Sequence, residues 1–180
     1  GGESLDFIYT LHNTKDEVSD YMVDFDIELV GLAPIMANQS SIGIDWSNRS
    51  FQNERSYKNE NMYTSLYYRH PSETGIEDLG VSEGNKSKSV STSVDWVAFK
   101  QQYFTSAIIP QSVEFSYADL AYQTLPEKSG YIKEYSMAAA VPYTPQTDTY
   151  KFNFYLCPNK FPVLKKLTDP DGNALSLERV

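Results

Sequence analysis

Residues 20–32, DYMVDFDIELVGL, alternate without a break: Val23, Phe25, Ile27 and Leu29 fall on one side of an extended chain, Asp24, Asp26 and Glu28 on the other. A side-chain period of two is the mark of a strand with one face on a core and one face in water. The same period predicts strands in 5–13 (LDFIYTLHN), 41–46 (SIGIDW), 62–70 (MYTSLYYRH), 130–141 (GYIKEYSMAAAV) and 148–157 (DTYKFNFYLC). In the last of these Tyr150, Phe152, Phe154 and Leu156 alternate with Lys151, Asn153, Tyr155 and Cys157. Polar pieces at 13–20, 38–41, 47–61, 70–75, 82–89, 125–130 and 142–148 stand between the runs and read as turns and loops.

The stretch 95–110, DWVAFKQQYFTSAIIP, differs from these runs because it is apolar on both sides. From Gln101 onward, Tyr103, Thr105, Ala107 and Ile109 share one face and Phe104, Ser106 and Ile108 the other, the pattern of a strand between two packed layers. Trp96, Phe99, Tyr103 and Phe104 are therefore expected in the core, each contributing about 1.5–3 kcal/mol when fully buried. After Cys157 the period changes. Phe161, Leu164 and Leu167 at helical spacing, with prolines near the start and Asp169-Pro170 beyond, predict a short helix over 159–167. Phe161 and Leu164 are expected to pack on the sandwich, while Lys165 and Lys166 fall near the helix C-terminus, where positive charge is favoured. The fold class is thus all-β, mainly antiparallel: a sandwich over 1–157 with a helical segment over 158–180.

At 180 residues the chain fits one domain with a sizeable core. The formal charge of −9 disfavours nucleic acid and anionic headgroups. The longest apolar run, 136–143, is cut by Pro142 and falls far short of the roughly 20 residues a spanning helix needs. A single cysteine, Cys157, excludes an internal disulfide and reads as a small buried hydrophobe. The opening Gly1-Gly2-Glu3 reads as the start of an excised or processed piece.

Candidate chemistry is sparse. His12 and His70 each lie beside a turn without a partner that spacing alone supplies, and are expected at the surface or rim. Asp24, Asp26 and Glu28 read as a solvated strand face rather than a catalytic or cation-binding set. No nucleophile elbow and no glycine-rich phosphate loop occur. The Asn-x-Ser triplets at 38, 48 and 85 carry little information. Fourteen tyrosines raise the alternative of a carbohydrate-binding or mutarotase-like sandwich, but tyrosine is equally a favoured strand residue. No catalytic, cofactor-binding or metal-ligating residue is expected, and the chain is not read as an enzyme.

Three ordered pieces carry a resemblance. WVAFKQQYFTSAIIP at 96–110, YTL at 9–11 followed by YMVDFDIELVGL, and FYLCPNKFPVLKKL at 154–167 together resemble the periplasmic domain of the YidC family of membrane-protein insertases. The resemblance spans about residues 5–180, with Cys157 where the family often carries glycine and Phe161 where tyrosine is common. It implies a twisted β-supersandwich similar to galactose mutarotase, of which this chain would be the C-terminal portion lacking some N-terminal strands. It also implies a place on the periplasmic face of the bacterial inner membrane, with residues 158–180 leading toward a membrane helix. The implied role is a non-catalytic scaffold and docking surface, with nascent membrane proteins and Sec translocon components as partners. Trp96, Phe99, Tyr103, Phe104, Phe161, Leu164, Lys165 and Lys166 are then the candidate structural and interaction residues.

Overall fold

The alternating runs pair antiparallel in two sheets stacked face to face. The structure is a computed structural model that describes residues 2–13, 16–71, 73, 75–81 and 84–180. Parts of the turns expected at 13–20, 70–75 and 82–89 lie outside the described residues. In chain order the elements are β1 (Ser4–Leu11), β2 (Met22–Val30), β3 (Ser41–Phe51), α1 (Tyr57–Asn61), β4 (Ser65–Arg69), β5 (Glu77–Asp78), β6 (Asn85–Val90), β7 (Trp96–Lys100), β8 (Phe104–Pro110), β9 (Tyr117–Thr124), β10 (Tyr131–Pro142), β11 (Thr149–Pro158) and α2 (Phe161–Leu164). Single 3-10 turns lie at Ser19–Tyr21 and Leu177–Arg179. The large sheet runs β1-β2-β11-β8-β7-β4-β5 and the small sheet β3-β10-β9-β6.

The all-β sandwich follows the sequence expectation; β9 answers to no predicted run, and further local features depart from the expectation. The stretch 95–110 is two strands, not one, because the chain turns back at 101–103 and Val97 pairs with Ile108. β3 runs past Trp46 to Phe51 because Ser47, Asn48, Arg49 and Phe51 are held by β10, a neighbour that composition does not reveal. Residues 57–61, within a stretch expected to be loop, form α1, capped by Ser56, whose side chain accepts from the Asn59 amide. β6 lies in a stretch expected to be turn. It is a polar edge strand with only Val90 buried, so it carries no apolar period.

Between the sheets Trp46 stacks on Phe99 at 4.0 Å, and Phe99 stacks on Tyr135 at 4.8 Å. Phe25, Phe152 and Phe115 continue this aromatic row along the large sheet. Trp46 also meets Phe154 of β11, so the β3 edge of the small sheet lies over the middle of the large one. At the other edge Glu77 accepts from the Tyr68 hydroxyl and from Lys88 Nζ, the latter at 2.5 Å, closing the corner of β4, β5 and β6.

One charge is buried inside this layer. Lys133 of β10 has no solvent-exposed surface; its Nζ donates to Thr64 O at 2.6 Å and lies 4.2 Å from the Tyr122 ring centre. Burial pushes its pKa down to about 8. Glu60, also buried, accepts from the Asn53 and Glu54 amides at 2.9 and 3.0 Å and ties α1 to the end of β3.

Candidate functional site

The middle of the large sheet, at β11, β8 and β7, is covered on both faces. Its outer face presents Trp96 and Ala98 from β7, Ala107 and Ile109 from β8, and Tyr155 and Cys157 from β11. Over them lies the C-terminal segment, which contributes Val163, Leu164, Leu167, Leu175 and Leu177 to a second apolar core. An irregular segment can cover a sheet only if its own polar backbone finds partners. Two side chains of the large sheet supply them: Trp96 Nε1 donates to Leu175 O at 2.9 Å, and Arg69 Nη1 donates to Ala174 O at 2.6 Å.

Arg69 is nearly buried and is itself paired with Asp95, Nε lying 3.0 Å from Oδ2. The N–H does not point along that line, so the contact is an ion pair and not a directional hydrogen bond. Burial raises the Asp95 carboxyl above its ordinary value against the pull of the Arg69 guanidinium.

The segment is also pinned where it leaves β11. Asn159 Nδ2 donates to Gln101 O (2.9 Å) and Gln102 O (3.1 Å), its amide N to Tyr103 O (2.8 Å), and its Oδ1 accepts from Thr105 Oγ1 (2.7 Å). Further on, the 169–173 turn is closed by Asn173, whose N and Nδ2 donate to the two Asp169 carboxylate oxygens at 2.7 and 2.9 Å. Leu175 N then returns to Leu167 O at 3.0 Å. The segment is therefore fixed at its start, in its middle and near its end.

The candidate residues divide across this arrangement. Trp96 and Leu164 meet in the outer core, whereas Phe99 is buried on the opposite face, between the sheets. Tyr103, Phe104 and Phe161 correct the expectation of burial: their exposures lie between 45% and 57%. Tyr103 sits on the turn between β7 and β8, with its hydroxyl donating to Glu54 Oε1. Phe104 opposes Pro158 at the end of the sheet, where it is half exposed. Phe161 points outward under Lys165 because α2 spans only 161–164, a single turn, and not 159–167. The i, i+3 spacing of 161, 164 and 167 thus does not define one helical face; Val163, Leu164 and Leu167 go inward. Lys165 and Lys166 are exposed.

Arg69, Asn159, Val163 and Leu175 were not among the residues the sequence singled out. Their roles depend on partners up to 105 residues away, as for Arg69 and Ala174, so no local period marks them.

Little here points to chemistry. Burial pushes the Cys157 thiol up to about 11, outweighing the smaller opposing influence of the neighbouring Tyr155 and the Thr105 backbone, so it is a packed apolar group rather than a nucleophile. His12 Nε2 lies 2.6 Å from Asp24 Oδ2 at the end where β1 connects to β2, while His70 contacts Ser93 O at 3.0 Å beside Tyr68. The two imidazoles thus have separate partners. Among the described residues no three His, Cys, Asp or Glu side chains converge to hold a metal ion. A shallow cleft of about 410 Å³ on the outer face of the small sheet is lined mainly by small residues between Asp45 and Asp119.

A two-layered antiparallel sandwich whose final segment is built into the outer face of its large sheet defines an all-β domain with a seated C-terminal segment. Residues 5–179 match the family model described as the YidC periplasmic domain. The chain belongs to that family. It is 33% identical over 168 residues to the membrane protein insertase YidC of Bacteroides fragilis, covering 91% of this chain and 25% of the relative. The insertases of Phocaeicola vulgatus (32% over 179 residues, 98% of this chain and 28% of the relative) and Azobacteroides pseudotrichonymphae (32% over 164 residues, 89% and 25%) are similar. The chain thus spans about a quarter of the length of these relatives. No helix among its described residues is long and apolar enough to cross a membrane.

Proposed function

We propose that this chain is the extracytoplasmic domain of a membrane-protein insertase, working without catalysis as a scaffold and docking body on the periplasmic face of the bacterial inner membrane. Its partners in this reading are nascent membrane proteins and Sec translocon components. Residues 158–180 lead toward a membrane helix and hold it at a fixed position relative to the sandwich. The observation that carries the reading is the seating of the C-terminal segment by Trp96, Arg69 and Asn159. A tail that served only as a tether would need none of these bonds, because a flexible linker reaches its target without ordered contacts.

The test is a flexible Gly–Ser spacer placed directly after Val180 in the full-length protein, with insertion of a model membrane protein as readout. Hydrogen exchange over the sandwich is the control that the domain remains folded. Insertion is expected to fall several-fold while exchange is unchanged; full insertion with the spacer present would sink the positioning role.

A further inference from the structure

The formal charge of −9 is distributed unevenly between the two ends of the sandwich. At the end where β2 leads to β3, β8 to β9 and β10 to β11, residues 31–40, 70–76, 91–95, 111–116, 143–148 and 168–176 carry Glu73, Asp95, Glu114, Asp148, Asp169 and Asp171 and neither lysine nor arginine. Asp95, Glu114, Asp169 and Asp171 share one cleft there. The opposite end is built from α1, the turn between β7 and β8, and α2. Asn53 Nδ2 donates to Gln101 Oε1 at 3.4 Å, Tyr103 OH to Glu54 Oε1 at 2.8 Å, and Asn159 N to Tyr103 O at 2.8 Å, so these three pieces adjoin. Residues 51–63 and 158–166 expose Arg55, Lys58, Lys160, Lys165 and Lys166. Their carboxylates are engaged: Glu54 by Tyr103, and buried Glu60 by the Asn53 and Glu54 amides. The β1–β2 connection at this end is acidic, with Asp16, Glu17 and Asp20, and attracts Lys166 at the border of the basic strip.

The basic strip also exposes large apolar groups. Met62, Tyr63, Tyr103 and Phe161 are between 45% and 64% exposed. Phe161 lies under the Lys165 ammonium, 5.8 Å from its ring centre, and Tyr103 keeps its hydroxyl on a carboxylate. Rings with a polar or cationic neighbour suit a layer that is apolar on one side and wet on the other, as at a bilayer interface. A protein partner uses a groove or a free strand edge. These four residues line none of the clefts of about 300–440 Å³ among the described residues, and the backbone of the 101–103 turn is already held by Asn159.

We propose that this end of the sandwich lies against anionic lipid headgroups, with Arg55, Lys58, Lys160, Lys165 and Lys166 among the phosphates and Met62, Tyr63, Tyr103 and Phe161 resting on the interface, while the acidic end points away. The inference rests on the reading of the chain as the extracytoplasmic domain of an insertase, which puts a bilayer beside it, and adds which end faces that bilayer. Opposite charge at the two ends makes the orientation doubly determined, because the basic end is attracted and the acidic end repelled. The attraction acts over about a Debye length, ~8 Å at physiological ionic strength. It therefore orients a domain that is already tethered and does not recruit a chain of charge −9 from solution. The two readings can fail separately: the spacer after Val180 tests positioning through insertion, and lipid quenching tests this contact.

Single cysteines placed by Tyr63→Cys and Phe161→Cys at the basic end, and by Ile35→Cys and Tyr117→Cys at the acidic end, carry a fluorophore in the full-length protein, held in nanodiscs of mixed zwitterionic and anionic phospholipid. Quenching by a lipid with a spin-labelled headgroup is expected to be at least about fivefold stronger at 63 and 161 than at 35 and 117, since the two ends stand a strand length, about 30 Å, apart. Lys160→Glu, Lys165→Glu and Lys166→Glu together are expected to cut quenching at 63 at least about threefold, as are discs without anionic lipid. Equal quenching at the two ends would overturn the proposal, and so would quenching at 63 that is unchanged both in the triple variant and without anionic lipid. Protection of 63 and 161 from a soluble maleimide that depends on added Sec translocon and comes without lipid quenching would overturn it too, because the surface would then belong to a protein partner.

Discussion

The two faces of the large sheet are closed by different means. The inner face meets another sheet, and its cover is a row of aromatic rings, Trp46 on Phe99 on Tyr135, that strand alternation places automatically. The outer face meets a segment with one helical turn, whose backbone depends on the Trp96 and Arg69 side chains for partners. The lesson is that apolar area alone does not cover a sheet: where the covering chain is irregular, a few directional bonds decide where it lies. Trp96→Ala breaks the outer closure and carries the largest effect, a loss of about 3–5 kcal/mol by thermal or urea unfolding. Its distinctive sign is faster hydrogen exchange over 163–177 before β9 and β10 respond; simultaneous loss of both layers would mean that the two faces close as one cooperative unit.

On the inner side the closure tolerates a buried charge, Lys133. Its folded pKa, about 8, lies below the unfolded value near 10.5, so the folded state holds this proton less tightly. Its contribution to stability is therefore lowest below pH 8 and rises as the pH climbs from 8 to 10.5, on the order of 3 kcal/mol in all. Lys133→Met removes the buried charge and should be more stable than the parent at pH 7, with the difference shrinking toward pH 10.5. A constant difference across that range would mean that the ammonium is not buried as described.

Asn159→Ala removes the pin at the start of the C-terminal segment. It should cost about 1–2 kcal/mol and raise the exchange of residues 161–167, measured by urea midpoint and mass spectrometry. Trp96→Phe keeps most of the buried area but drops the bond to Leu175, for about 1 kcal/mol. Phe161→Ser closes the series at within 0.5 kcal/mol, because the ring stands in solvent. A large loss there would show that the ring packs against the body after all.

The inner face was legible in the sequence because burial there follows a period of two. Val23, Phe25, Ile27 and Leu29, and later Tyr150 and Phe152, announce their strands from composition alone. Where the pattern and the partner separate, reading fails. β6 has Lys and Ser at alternate positions and is a strand because β9 pairs with it. Phe104 and Phe161 have the composition of core residues but lie where the sheet ends and the helix has only one turn. Trp96 and Leu164 were recognisable as candidates, yet their meeting depends on Leu175 and Arg69, far along the chain.

β11 is the last strand in sequence, but it occupies an interior position of the large sheet, between β2 and β8. Ile27 pairs with Tyr150, so β1 and β2 cannot join β8 until residue 149 and those after it have arrived. A chain that emerges from its N-terminus must hold the β1–β2 hairpin, aromatic stripe included, unattached to β8 until β11 has emerged. Closure then comes late and over long loops, which makes it slow. For such a molecule the vulnerable interval is the wait for β11, and holdase assistance would act most on nascent chains that stop before residue 149.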